Sequence, residues 1–113
     1  MPKIINIKVL NNNQIDKEYN NIKCLYNDNT YIFHIDDIKT TISPNKLIRE
    51  NKEFIFELLF KEKTSTYHLK ELNKTYDIDV ENITYNKDNN ITSIEYKLIT
   101  NEEPIKIIIE EVD

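Results

Sequence analysis

The sequence predicts an all-β protein, an antiparallel up-and-down β-barrel of about 8 to 10 strands. Three observations lead to this prediction. Apolar residues recur at every second position along most of the chain, which is the period of a strand. Short polar connections separate these runs at roughly the 8–12-residue spacing of sandwiches and barrels. No window carries the apolar stripe of an amphipathic helix convincingly.

Nine or ten runs account for the predicted strands. In each, alternate apolar residues define a face that can be buried, as Ile5, Ile7 and Val9 do in the first. The second is the loosest, with Ile22, Cys24 and Tyr26 on alternate positions. In chain order the runs are 4–10, 21–26, 30–35, 37–43, 46–50, 53–61, 65–70, 75–81, 90–100 and 104–112.

Length and composition indicate a single domain over residues 1–113, large enough for one core. Hydrophobic residues make up 39% and charged residues 31%, which is typical of a globular chain. The net charge of -5 argues against nucleic acid and against an anionic membrane surface as partners, because both need a basic patch. No apolar run approaches the ~20 residues of a membrane-spanning helix. The single cysteine, Cys24, suits a reducing compartment, so we expect a cytoplasmic protein.

The run from Phe54 to Phe60 is apolar on both faces. Alternation directs four of its residues inward: Phe54, Phe56, Leu58 and Phe60. The same alternation turns Ile55 and Leu59 outward, together with Ile108 of the last strand. Large aliphatic residues that share a wet surface favour association, so we expect a homodimer with Ile55, Leu59 and Ile108 in its interface. A bulge that turns Ile55 or Leu59 inward would instead leave a monomer.

The chain contains no glycine, so other residues must form its tight turns. Asparagine is the best substitute, because its short amide side chain bonds locally to the backbone in the left-handed region. We expect positive φ at Asn51, at Asn73 and at Asn89 or Asn90, as primed hairpin turns require. The absence of glycine also excludes phosphate-binding loops and dinucleotide-binding fingerprints, whose backbone must approach the phosphate closely.

The C-terminal two-thirds of the chain shows a characteristic succession of strands. A strand with an arginine before a tight turn ("LIREN", Arg49) precedes a long strand that ends in an aromatic residue ("EFIFELLF", Phe60). "TSTYHLK", "YDIDV" and "ITSIEYKL" follow, and "IKIIIEEV" closes the series. From about Thr41 to Val112 this order resembles a family of small uncharacterised bacterial proteins, the YwiB-like calycin-like β-barrels. Asn51 and Asn73 stand where that family usually has glycine.

The resemblance has implications for fold and for function. It implies a calycin-like (lipocalin-like) barrel, similar to lipocalins and fatty-acid-binding proteins, in a bacterial protein. The family has no established activity, so the resemblance assigns no catalytic residue.

Four residues are candidates for ligand binding: Arg49, Tyr67, Tyr76 and Tyr96. Arg49 is the one arginine of a lysine-rich chain, and its guanidinium could clamp an anionic ligand with two hydrogen bonds. The alternative is a structural ion pair with a cross-strand carboxylate such as Glu53 or Glu57. The tyrosines could line a cavity with apolar rings and polar hydroxyls. The alternative is that they are core aromatics whose hydroxyls reach the surface.

No pattern indicates a metal site, a cofactor or an enzyme. His34 and Asp36 share a strand face, but no third ligand completes a metal-binding motif, so we interpret them, with Asp37, as a strand end and a solvated turn. Cys24 with His34 or His68 could form a thiol nucleophile and its base. A lone cysteine in an apolar run is more typical of a core residue. We therefore expect no metal, no cofactor and no catalytic residue.

The inward residues are large, since phenylalanine, tyrosine, leucine and isoleucine dominate and alanine is absent. This indicates a filled interior, although a barrel of about eight strands can also hold one small ligand. We therefore expect a non-enzymatic binding or interaction module. The alternative is a carrier of a small apolar ligand in the barrel interior.

Overall fold

The computed structural model describes residues 2–112, which form ten β-strands and no helix. None of these residues therefore belongs to a helix that could span a membrane. β2 begins at Gln14, well before the predicted residue 21, so the polar segment after β1 is also a strand. The strands are β1 Pro2–Asn11, β2 Gln14–Asn27, β3 Thr30–Ile35, β4 Ile38–Ile42, β5 Lys46–Glu50, β6 Phe54–Leu59, β7 Thr64–Leu69, β8 Lys74–Asp88, β9 Ile91–Leu98 and β10 Ile105–Glu111.

Each strand pairs in antiparallel fashion with its neighbours in sequence, and β1 pairs with β10. This pairing closes the barrel and confirms the predicted up-and-down architecture. Closure satisfies the backbone groups that an open sheet would expose at its edges. The wall has one incomplete seam: β2 and β3 pair at only three positions, from Leu25 opposite Ile32 to Asn27 opposite Thr30.

Large aliphatic side chains from several strands fill the middle of the barrel. Ile5, Leu47, Leu58, Ile94 and Ile109 are fully buried there. They come from β1, β5, β6, β9 and β10, so side chains from opposite sides of the wall meet in the centre. Cys24 is also buried, as expected for a core cysteine.

The strand that is apolar on both faces is oriented as predicted. Phe56, Leu58 and Phe60 are buried, and Phe54 is half-buried against the same core. The register of β6 with both of its neighbours contains no shift, so no bulge reverses its alternation. Ile55 and Leu59 therefore point outward.

Asparagine and aspartate supply all but one of the residues at positive φ in residues 2–112, the exception being Lys63 in the turn after β6. Three turns place two consecutive residues at positive φ, which is the signature of type I′ hairpins: Asn12–Asn13, Asp28–Asn29 and Asp36–Asp37. Asn73 (φ 47°) and Asn89 (φ 55°) also have positive φ, as predicted.

The prediction for Asn51 was wrong, because its φ is not positive. Its side chain shapes the turn instead. Asn51 Oδ1 accepts hydrogen bonds from the backbone N–H groups of Glu53 (2.8 Å) and Phe54 (3.1 Å). Asparagine thus acts here through its acceptor oxygen, which is the second way in which it replaces glycine in a turn.

The alternating strands place the turns at two opposite ends of the barrel. The start of β1, the end of β10 and the turns after β2, β4, β6 and β8 lie at one end, which we call the sealed end. The turns after β1, β3, β5, β7 and β9 lie at the other, the open end.

Candidate functional site

A network of ion pairs and hydrogen bonds closes the sealed end. The carboxylate of Glu111 pairs with the ammonium of Lys3 and accepts a hydrogen bond of 2.7 Å from the Tyr31 hydroxyl. Lys87 Nζ lies 4.0 Å from the same carboxylate. It also donates to the Tyr26 hydroxyl at 2.6 Å. Because Lys3 and Glu111 are 108 residues apart, their pair joins the first and last strands.

The electrostatics of this network favour an ionised Glu111. Burial alone raises the pKa of the Glu111 carboxyl, but hydrogen bonds from Lys3 and Tyr31 and the charges of Lys3 and Lys87 outweigh it. The pKa of Glu111 consequently lies below its usual value. Burial, together with the adjacent Glu111, raises the pKa of Tyr31 well above its usual range, so the hydroxyl keeps its proton and acts as a donor.

Two cavities with core side chains in their walls occupy the interior at the open end. The slit cavity has a volume of about 250 Å³ and follows the gap between β2 and β3. The tyrosine cavity has a volume of about 260 Å³ and lies among β5, β6, β7, β8, β9 and β10, with Tyr67 and Tyr96 in its wall. Arg49, Tyr96 and Ile105 line both, so the two cavities adjoin at these side chains.

The slit cavity exists because β2 and β3 separate towards the open end. Their pairing stops after Leu25 and Ile32, and side chains of both strands line the opening beyond that point. Those of β2 are Asp16, Lys17 and Tyr19, and those of β3 are Phe33 and Ile35. The unpaired stretch between β2 and β3 therefore forms one wall of the slit cavity.

Arg49 is half-buried at the junction of the two cavities. The expected alternative, a structural ion pair with Glu53 or Glu57, is wrong. No hydrogen bond or ion pair within residues 2–112 involves the Arg49 guanidinium. The backbone pairing explains the difference: Arg49 lies opposite Thr40 and Phe56, whereas Glu57 lies opposite Ile48 on the other face of the sheet.

Two further polar side chains of the tyrosine cavity are without partners. Tyr96 is 5% exposed, and no hydrogen bond among the described residues involves its hydroxyl. Burial raises the pKa of Tyr96, and the charge of Arg49 opposes that rise. Asn101, in the turn after β9, buries its Nδ2 without a partner in the described chain. Arg49, Tyr96 and Asn101 therefore bring three groups of donors to one cavity.

The structure brings together three of the four predicted ligand-binding residues. Arg49, Tyr67 and Tyr96 line the tyrosine cavity, where the ring of Tyr67 stacks on Phe54 at a centroid distance of 5.3 Å. Tyr76 does not belong to the site. It lies opposite Tyr67 on β8, but it is 47% exposed and lines neither cavity.

Sequence reasoning missed Asn101 and Tyr19 as cavity residues. Asn101 lies in a polar turn, and Tyr19 follows a segment too polar to be recognised as a strand. Only the pattern of strand pairing places them beside Arg49, and no local feature of the sequence carries that information.

The predicted interface residues do not form one surface. β7, β8 and β9 separate β6, which carries Ile55 and Leu59, from β10, which carries Ile108. All three side chains are half-buried rather than exposed. The idea that Ile108 adjoins the other two is therefore wrong, and the homodimer itself stays a prediction.

The histidines and the cysteine lie in separate environments. His34 is exposed, whereas Cys24 is buried in the core. His68 shares a hydrogen bond of 2.7 Å with Thr75 through Nδ1. Within residues 2–112, no group of three or more His, Cys, Asp or Glu side chains is placed to hold a metal ion.

Comparisons of the chain with protein-family models, with curated proteins and with solved structures gave no match.

Proposed function

We propose that this protein is a non-enzymatic, calycin-like binding protein of the YwiB-like kind, acting in the cytoplasm. It takes up a small, mostly apolar molecule at the open end of its barrel. One observation carries the proposal: one end of the barrel is closed by matched polar groups, whereas the other holds two adjoining cavities of about 250 and 260 Å³. The carrier hypothesis is thus favoured over an interaction module that acts through its outer surface.

The lining of the tyrosine cavity supports this function. Small-molecule sites are concave and mostly apolar, with a few polar groups that orient the ligand. Phe54, Phe56, Ile78, Leu98 and Ile105 supply the apolar wall. The polar groups converge on one side, around Arg49. The lateral gap between β2 and β3 offers a route by which a ligand reaches the interior.

An NMR titration with 1-octanol, a neutral probe, tests the proposal. We expect backbone amide signals at the open end, such as those of Arg49 and Tyr96, to shift while those of Tyr31 and Glu111 at the sealed end stay in place. Ile105→Trp should abolish the shifts, because Ile105 lines both cavities and an indole would fill them.

The matched control is Ile99→Trp. Ile99 lies near the open end, but it is 62% exposed and lines neither cavity. This variant should bind 1-octanol as the wild type does. Shifts confined to the sealed end or the outer surface, or equal binding by Ile105→Trp, would overturn the proposal.

A further inference from the structure

We infer, on the basis of the proposed function, that the ligand is a small carboxylic acid with an apolar body, and that Arg49, Tyr96 and Asn101 bind its carboxylate.

Arg49, Tyr96 and Asn101 supply hydrogen-bond donors to the tyrosine cavity that have no acceptor in the described chain. Arg49 and Tyr96 line the cavity, and no acceptor among residues 2–112 bonds to the Arg49 guanidinium or the Tyr96 hydroxyl. The Nδ2 atom of Asn101 is itself buried without a partner. A buried donor left unpaired costs free energy, so such a group normally has a partner. A ligand that supplies acceptors can bond to all three side chains.

The charge of the tyrosine cavity is positive. Arg49 is the one charged side chain that lines this cavity, and no aspartate or glutamate does so. Asp16 and Asp36 line only the slit cavity, and both are exposed. The protein as a whole carries a net charge of -5, so this cavity is a local cationic site in an acidic chain.

The single guanidinium of the tyrosine cavity matches one carboxylate in charge and in geometry. A guanidinium presents two parallel N–H groups to the two oxygens of a carboxylate, a geometry that lysine cannot reproduce. A phosphate monoester carries ~2 negative charges at neutral pH and would leave one of them unmatched. The site therefore fits a monoanion better than a phosphate.

The size of the tyrosine cavity also restricts the ligand. Its volume of about 260 Å³ lies just below the ~300–1,000 Å³ typical of small-molecule sites, so it suits a small ligand. Five apolar side chains of this cavity surround the space beyond Arg49: Phe54, Phe56, Ile78, Leu98 and Ile105. A short aliphatic or aromatic acid meets these requirements, and its tail can extend into the adjoining slit cavity.

The test compares octanoate with 1-octanol, which share a tail and differ in the head group. Dissociation constants come from NMR titrations at neutral pH. For the wild type we expect octanoate to bind at least about tenfold more tightly than 1-octanol, because hydrogen bonds to charged groups are strong. Arg49→Met should reduce this preference to about one, and Tyr96→Phe should reduce it by roughly two- to tenfold.

Lys61→Met is the matched control. It removes one positive charge from the turn after β6, at the sealed end, and Lys61 is exposed. We expect this variant to retain the full preference for octanoate. Arg49→Lys is a second control, because it keeps the positive charge but loses the planar pair of N–H donors. It should show a preference for octanoate between those of Arg49→Met and the wild type.

The outcomes separate the inference from the proposed function. If 1-octanol binds at the open end as tightly as octanoate, the barrel is a carrier but the carboxylate inference is overturned. Equal loss of preference in Lys61→Met and Arg49→Met would also overturn it, since net charge alone would then explain the selectivity. If neither probe binds at the open end, the proposed function fails and the inference fails with it.

Discussion

The polar side chains at the two ends of this barrel differ in whether they have hydrogen-bond partners. At the sealed end Glu111 accepts from Lys3 and Tyr31, so donors and acceptors are matched. At the open end the donors of Arg49 and Tyr96 meet no acceptor within the described chain. Matched polar groups contribute to stability, whereas an unmatched buried group such as Asn101 Nδ2 costs free energy. We therefore propose that the sealed end serves stability and the open end serves binding.

The geometry of the wall follows the same division. Around the sealed end β2 and β3 are paired, and β1 and β10 are joined by the pair of Lys3 and Glu111. Towards the open end β2 separates from β3, and side chains of both strands line the slit cavity. One end of a closed barrel can thus be fully paired while two neighbouring strands separate at the other, without any change in strand order.

The largest expected effect is the loss of the sealed-end network. Glu111→Gln removes the carboxylate that pairs with Lys3 and accepts from Tyr31. We expect the free energy of unfolding, measured in urea, to fall by about 2–3 kcal/mol, because charged partners are left unpaired. A loss of less than about 0.5 kcal/mol, as for an ordinary surface substitution, would contradict the claim that the sealed-end network stabilises the barrel.

A second ion pair provides the control for this variant. Lys97 Nζ lies 2.6 Å from Glu81 Oε2. The side chain of Glu81 is 52% exposed, whereas that of Glu111 is 8% exposed. Glu81→Gln should therefore cost less than about 1 kcal/mol. If both variants lose the same free energy of unfolding, burial of the sealed-end network does not add to stability.

Acid sensitivity tests the same network in the wild type. The pKa of Glu111 is lowered in the folded barrel, and in the unfolded chain it returns to its ordinary value of about 4.5. The contribution of Glu111 is therefore complete above that value and is lost as the pH falls through the lowered pKa. We expect urea unfolding at about pH 7 and pH 3 to show a smaller acid-induced loss for Glu111→Gln than for the wild type. Identical losses would contradict the assignment.

An intermediate effect is expected in two turns of the open end. Asn51→Gly removes the acceptor of two backbone hydrogen bonds and should destabilise the barrel by about 1 kcal/mol. Asn73→Gly should be neutral or slightly stabilising, because glycine adopts the positive φ of Asn73 without strain. Urea unfolding measures both. If both variants change the free energy of unfolding equally, Asn51 and Asn73 do not form their turns in different ways.

The smallest effect concerns self-association. Ile55 and Leu59 point outward but are half-buried, and Ile108 lies on a distant strand, so the shared apolar surface is small. We predict weak, concentration-dependent dimerisation in sedimentation equilibrium, further weakened by Ile55→Lys with the fold retained. A single monomer mass at all concentrations would exclude this face as a homodimer interface.

Local patterns in the sequence predicted much of the fold. Period-two alternation located the strands and the inward face of β6, and turn-forming asparagines marked most corners. Asn51 was misassigned because one residue type serves turns in two ways, by positive φ and by accepting hydrogen bonds. The start of β2 was missed because its residues from Gln14 to Tyr19 are mostly polar.

The candidate site was only partly predictable. Arg49, Tyr67 and Tyr96 stood out by residue type, but their convergence depends on the register of five different strands. The sizes of the inward residues indicated a filled interior, and this holds for the middle of the barrel. The interior is not filled where β2 separates from β3. The slit cavity there results from the missing strand pairing, which the volumes of the side chains do not reveal.

Urea unfolding of Arg49→Met, with and without octanoate, tests most directly the claim that the open end serves binding rather than stability. Without ligand, the variant should match the wild type within about 0.5 kcal/mol or exceed it, because the guanidinium has no partner to lose. With octanoate, the wild type should gain stability as expected for a ligand that binds only the folded state, and Arg49→Met should gain little. A loss of more than about 1 kcal/mol in ligand-free Arg49→Met, or an equal gain with octanoate in both proteins, would contradict the account.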